Sequence, residues 1–133
     1  METILLVEHE PRVRCFIRGQ LADQYEILEA ASAIEALDIC RNHREIDLLI
    51  CDMDSGLVSG MELASLLRAW NSKLLTILTS DLSCDCWTQR QETELSELPS
   101  DAVLILERPF TPVELRGAVT SLLQRDVQVM GAI

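Results

Sequence analysis

Four short apolar runs in this chain end on residues able to do chemistry. Glu8 and His9 follow Thr3–Val7 (TILLV), Asp52 follows Asp47–Cys51 (DLLIC), Thr79 follows Leu74–Leu78 (LLTIL), and Arg108 stands just beyond Val103–Leu106 (VLIL). Two carboxylates, an imidazole, a hydroxyl and a guanidinium are groups that ligand chemistry uses. One polar residue at the end of an apolar run is expected anywhere, but four at successive ends are harder to assign to chance. Asp52 is the centre of the set. It closes a continuous apolar run and is followed by a polar loop and then by Gly60, which opens an amphipathic segment.

The elements that must position these residues follow from the hydrophobic pattern. Short runs that are apolar throughout read as strands covered on both faces. The first is Thr3–Val7, and Tyr25–Ala30 is a second, less buried one. Asp47–Cys51, Leu74–Leu78 and Val103–Leu106 complete the set. Between them the apolar residues recur at helical spacing. Pro11 suits a first helical turn, and Val13, Phe16, Ile17 and Leu21 give a helix ending near Asp23, with Arg12, Arg14 and Arg18 outward. Ser32 with Glu35 predicts a capping box ahead of Ile34, Leu37, Ile39 and Cys40, to about Asn42. Ser59 caps a third helix whose apolar face is Met61, Leu63, Ala64, Leu67 and Trp70. Thr111, Pro112 and Glu114 open a last helix with Val113, Leu115, Val119, Leu122 and Leu123 on its buried side. Residues 82–100 hold few large apolar residues and predict a frayed helix or loop ended by Pro99.

Strands alternating with helices five times predict one α/β domain over residues 1–125, a (βα)5 doubly wound parallel sheet, with a short tail over 126–133. In such a sheet all C-terminal strand ends share one edge, where ligands bind. Glu8, His9, Asp52, Thr79 and Arg108 then converge.

Composition narrows the function. The 133 residues suit one domain, and 48% hydrophobic content supplies a single core. A net charge of −11 repels a phosphate backbone, so no nucleic-acid partner is expected. No apolar run is long enough to span a bilayer and the N-terminus has no signal-peptide pattern, which predicts a cytoplasmic protein without a membrane partner. The five cysteines read as reduced thiols. Cys84-Asp85-Cys86 is a close pair, but no second Cys/His pair is spaced to complete a zinc site.

The pieces ILLVEHEPRVR, DLLICDMDSGLVSGMEL, LLTILTS and ERPFTPVEL, in this order, resemble the receiver domain of two-component response regulators, over roughly residues 3–125. That resemblance implies a flavodoxin-like fold with strand order 2-1-3-4-5 and a non-enzymatic signalling role. Asp52 matches the aspartate that takes a phosphoryl group from a sensor histidine kinase or a phosphotransfer protein. Glu8 and His9 fall on the paired acids that hold Mg2+, with the backbone carbonyl of Asp54 as its main-chain ligand. Thr79 matches the hydroxyl that binds the phosphoryl group, Arg108 falls on the partnering lysine, and Pro109 on a proline commonly joined by a cis bond. Asp54 and Asp81 occupy positions that tune the lifetime of the acyl phosphate. No organic cofactor is implied. Output is expected through protein–protein contact with a downstream target, from a chain without an effector domain, and a homodimer is left open.

Several residues depart from that pattern. His9 replaces a carboxylate with an imidazole, which Mg2+ disfavours. Arg108 keeps the charge of lysine with a different, forked geometry. Ile105 stands where an aromatic switch residue is usual, and Ser55-Gly56 makes a more pliable loop than the usual Met-Pro. The stretch from Thr79 to Arg108 is longer than usual. These features predict that Mg2+ binding is weak, with His9 and Arg108 neutralising Glu8 and Asp52 from within. They also favour an alternative function, a pseudo-receiver that binds proteins without phosphorylation. His9, Glu8 and Asp52 holding a transition metal is a further option, since imidazole suits Zn or Mn better. A flavin carrier is disfavoured, because Glu8-His9-Glu10-Pro11 is the opposite of a phosphate-cradling loop.

Overall fold

The computed structural model describes residues 1–43, 45–53, 58–81 and 87–131, with the side chains of 125–131 set aside. Five strands, β1 (Thr3–Val7), β2 (Glu26–Ala30), β3 (Leu48–Asp52), β4 (Leu75–Ser80) and β5 (Val103–Glu107), alternate with five helices. These are α1 (Pro11–Leu21), α2 (Ala33–Asn42), α3 (Gly60–Trp70), α4 (Gln89–Ser96) and α5 (Pro112–Gly131). All strands are parallel, in the order β2-β1-β3-β4-β5.

The two-residue period of a strand splits the core into two layers. Leu5, Val7, Leu49, Cys51 and Leu78 face the side covered by α2 and α3, against Ala36, Met61, Leu63 and Ala64. Ile4, Leu6, Leu48, Ile50 and Ile77 face the other side, against Ile17 and Leu21 of α1 and Leu115, Val119 and Leu122 of α5. Each such side chain contributes about 1.5–3 kcal/mol on burial, which explains why β1, β3 and β4 read as uninterrupted apolar runs.

The helix caps follow the sequence signals. Ser32 Oγ accepts the Glu35 N–H at 3.2 Å, and Glu35 Oε2 accepts the Ala31 N–H at 2.7 Å. Ser59 Oγ accepts from Glu62 N at 3.1 Å, and Thr111 with Glu114 bond reciprocally.

Three helical faces differ from expectation. In α2 the buried residues are Ala33, Ala36 and Cys40, while Ile34 is 70% exposed. Small residues let this helix lie close to the sheet, so the buried stripe is marked by size rather than hydrophobicity. Trp70, at the last turn of α3, and Val113, in the first turn of α5, are likewise exposed. The strand ends also shift. Asp52 and Thr79 belong to their strands, and β4 extends to Ser80. The stretch expected as a frayed helix or loop contains α4, opened by a complete capping box between Thr88 and Gln91 and burying none of its own residues. Helix α5 continues to Gly131, past Arg125 where a tail was expected.

Candidate functional site

The C-terminal edge of the sheet brings the five expected residues together, with His9 at the rim. Strand pairing sets Val7 beside Cys51 and Asp52 beside Thr79, so the ends of β1, β3 and β4 are level. The ladder continues past the strands. Glu8 N–H donates to Ala30 O at 3.0 Å, Met53 N–H to Thr79 O at 2.8 Å, and Arg108 N–H to Ser80 O at 2.7 Å. Each functional side chain therefore departs from backbone fixed on the sheet. The Arg108–Pro109 peptide bond is cis.

Glu8, Asp52 and Thr79 are all buried, and a buried charge must be paired. The Arg108 guanidinium supplies the pairing. Its Nη1 donates to Asp52 Oδ2 at 3.3 Å and Nη2 to Asp52 Oδ1 at 3.2 Å, a fork matched to the carboxylate. Nη1 also lies 3.6 Å from Glu8 Oε2, and Nε donates to Asp81 Oδ1 at 2.8 Å. One cation thus serves three acids contributed by β1, β3 and the end of β4. Burial alone would lower the pKa of Arg108. The hydrogen bonds and charge of Asp52, followed by those of Asp81, outweigh it and raise the value.

Glu8 is held from several sides. Its Oε1 accepts the Glu10 N–H at 3.1 Å and faces His9 Nδ1 at 3.3 Å, and its backbone carbonyl accepts from Arg14 Nη1 at 2.7 Å. The His9 side chain is 66% exposed and lies at the rim. Beneath Asp52, the Cys51 thiol has its pKa raised, by burial first and then by the charges of Asp52 and Glu8. It therefore remains a neutral thiol, donating to Gly60 O at 3.6 Å.

Gly60 shows how tightly the floor of the site is built. A Cβ there would meet Asp52 O at 2.5 Å and Cys51 Sγ at 3.0 Å. Helix α3 can begin against the end of β3 only because this residue has no side chain. Its N–H donates to Met53 O at 3.1 Å, closing the loop that leaves Asp52.

Ligand atoms of Glu8, His9 and Asp52 lie within 4.8 Å of one another, a spacing that could hold a metal ion. Mg2+, however, takes hard oxygen ligands in near-octahedral geometry at roughly 2.0–2.1 Å. Here both Asp52 oxygens accept from Arg108, one Glu8 oxygen faces the same guanidinium, and the other accepts from Glu10 N. His9 adds a nitrogen. The residues as arranged do not fit Mg2+, because a cation already stands between the two carboxylates. Asp54, whose carbonyl was the expected main-chain ligand, lies outside the described residues, as does Cys84-Asp85-Cys86.

Two features of the site were absent from the sequence reading. Arg14, counted as an outward residue, reaches the Glu8 carbonyl from one turn into α1. A groove of about 480 Å³ opens beside Arg108, lined by Arg12, Val13, Phe16, Asp81 and Phe110 among others. Phe16 and Phe110 pack against each other in its wall, with ring centroids 6.2 Å apart. Phe16 was assigned to the buried side of α1 but is partly exposed. The only advance signal was an aromatic at the margin of the α1 stripe.

Comparison with known proteins agrees with this architecture. Residues 4–120 match the response regulator receiver domain. The chain is 29% identical over 128 residues to the transcriptional regulatory protein YvrH of Bacillus subtilis, covering 95% of this chain and 51% of that protein. It is 32% identical over 124 residues to the sensor histidine kinase TmoS of Ectopseudomonas mendocina, covering 93% of this chain and 12% of that one. The chain thus spans about half or less of the length of these relatives. A receiver domain protein from Methanospirillum hungatei superposes with a TM-score of 0.81 at 19% identity, covering 96% of this chain and 98% of that one, a likeness of fold. With the family match running from β1 into α5 over a sheet of order β2-β1-β3-β4-β5, this chain belongs to the response regulator receiver domain family of two-component signalling.

Proposed function

We propose that Asp52 is the phosphoacceptor of this receiver domain, and that its modification is read by a protein partner. The observation that carries this reading is the position of Asp52, a buried carboxylate at the C-terminal end of β3 and level in the sheet with Thr79. In the transfer, an Asp52 oxygen attacks the phosphorus of a phosphohistidine, and the P–N bond breaks. The electron pair and then a proton go to the departing imidazole, leaving an acyl phosphate on Asp52. Arg108 would move its fork from the carboxylate to the new phosphoryl oxygens, for which a guanidinium is well matched. Thr79 would offer its hydroxyl to the same oxygens. The donor, a sensor histidine kinase or phosphotransfer protein, would approach along the groove beside Arg108, where Phe16 and Phe110 present apolar surface at its mouth.

Output would leave through α4 and β5. Val103, Leu104 and Ile105 of β5 are only partly buried. Ile105 has no ring to swing, so a modified Asp52 would act by shifting a two-state equilibrium of this face rather than by flipping an aromatic.

A second reading is favoured by one specific observation. Both Asp52 oxygens are engaged by Arg108, which lowers their nucleophilicity and suits a pseudo-receiver that binds its partner unphosphorylated. Intact-mass measurement after incubation with acetyl phosphate separates the two. Gain of one phosphoryl group, lost in Asp52→Ala, is expected. No gain at high donor concentration gives the pseudo-receiver reading instead.

A further inference from the structure

The charge arrangement at the sheet edge has its own consequence for cations. Nη1 of Arg108 stands between Asp52 Oδ2 at 3.3 Å and Glu8 Oε2 at 3.6 Å, the two acids that a divalent ion at this edge would bridge. The guanidinium is not there by loose contact. Its Nη2 is bonded to Asp52 Oδ1, its Nε to Asp81 at 2.8 Å, and its backbone N–H to Ser80 O. The remaining Glu8 oxygen is bonded to the Glu10 N–H.

We propose that Arg108 is a built-in counter-ion that competes directly with divalent metal for Glu8 and Asp52, so that the charge of the acidic site is partly compensated without metal and a metal enters only when the guanidinium swings out. The proposal rests on the positions of these side chains and not on whether Asp52 is phosphorylated.

Three physical points support it. A dication and a guanidinium within a few ångströms of each other repel in a buried site, so sharing the carboxylates is unfavourable. A carboxylate oxygen that accepts a charge-assisted hydrogen bond must give it up to coordinate a metal, so metal binding carries the cost of breaking the Arg108 fork. The competition is reciprocal. Whatever loosens Arg108 raises metal affinity, and metal loosens Arg108 by the same factor. Asp81 enters here as a positioning residue. It is 75% exposed and holds Nε from the solvent side, so it keeps the fork turned inward without touching the metal position.

The test is titration of the purified chain with Mg2+ or Mn2+ alone, without phosphodonor, by calorimetry and by the change in Tm. Arg108→Gln is expected to bind metal on the order of ten- to a hundredfold more tightly than the unsubstituted chain. Its Tm should rise with metal while that of the unsubstituted chain stays constant. Adding Glu8→Gln to Arg108→Gln should abolish the gain. Equal affinity of the two chains, or a gain that survives Glu8→Gln, overturns the proposal. Should Arg108→Gln not unfold cooperatively, Asp81→Asn serves in its place, since it acts from an exposed position. Tighter metal binding in Asp81→Asn supports the competition, and unchanged binding overturns it. Failure of acetyl phosphate to modify Asp52 would leave these outcomes unaffected.

Discussion

Two regions of the molecule handle charge in opposite ways. At the sheet edge, Glu8, Asp52 and Arg108 are withdrawn from solvent, each charge faces another, and every group departs from backbone bonded into the sheet. Helix α4 is polar apart from Leu95, which packs partly buried against the core, and no residue of the helix is fully buried. It is held by its capping box, by Ser59 Oγ donating to Glu94 at 3.0 Å, and by Arg90 bridging Glu94 at 3.0 Å and Glu62 at 3.3 Å. Arg90 is 80% exposed, and such surface pairs contribute little. The contrast teaches where specificity and mobility lie. Charges fixed in a low-dielectric lip define one arrangement at high cost to alternatives. A helix tethered by caps and surface pairs belongs to the low-stability end of a domain, from which moving elements are drawn.

Five substitutions probe that contrast. Arg108→Ala leaves Glu8 and Asp52 facing each other without a counter-ion, and should cost about 3 kcal/mol in urea unfolding at low salt. A loss no larger than that of the α4 variants would mean that the lip is not the more tightly specified region. Gly60→Ala drives a Cβ to 2.5 Å from Asp52 O and should cost roughly 1–3 kcal/mol. By contrast, Gly117→Ala, with nothing within 4 Å of the new Cβ, should stabilise α5 by about 0.5–1 kcal/mol. Thr88→Ala removes the hydroxyl that accepts the Gln91 N–H, leaving only the residue 88 N–H to Gln91 Oε1 half of the α4 capping box, and should cost about 1 kcal/mol. Hydrogen exchange should show the loss confined to α4, with protection of β3 and β4 unchanged. Spread of that loss into the sheet would make α4 part of the rigid lip. Arg90→Ala should change stability by less than about 0.5 kcal/mol, and less still at high salt.

Much of this was legible in the sequence. Strands apolar on both faces can be recognised without tertiary information, and the side-chain caps at Ser32 and Thr111 fix two helix starts by local bonding alone. The approximate placement of Glu8, Asp52, Thr79 and Arg108 on one edge followed from parallel topology. What remained hidden depends on distances between elements. Ala33 and Ala36, not Ile34, pack against the sheet because α2 comes close to it, and periodicity does not report closeness. His9 faces Glu8 at 3.3 Å from the exposed rim, whereas Arg108 engages both acids from a half-buried position. Only the reach of a side chain from β5 decides that. The start of α4 was readable in Thr88 and Gln91, but few apolar residues surround them to draw notice.

The order of the strands has a consequence for how the chain is made. Each ladder joins segments far apart in sequence, Thr3 with Glu26, Ile4 with Leu48, Leu48 with Leu75 and Thr76 with Val103. Such non-local pairing slows folding. In any partly folded state that pairs β1 with β3 ahead of β5, Glu8 and Asp52 are gathered on adjacent strands without Arg108. Until β5 docks, those two carboxylates repel each other, and the half-built sheet is electrostatically unfinished. Arrival of the edge strand closes the sheet and discharges the repulsion in one event, which ties completion of the fold to the residue that governs its site.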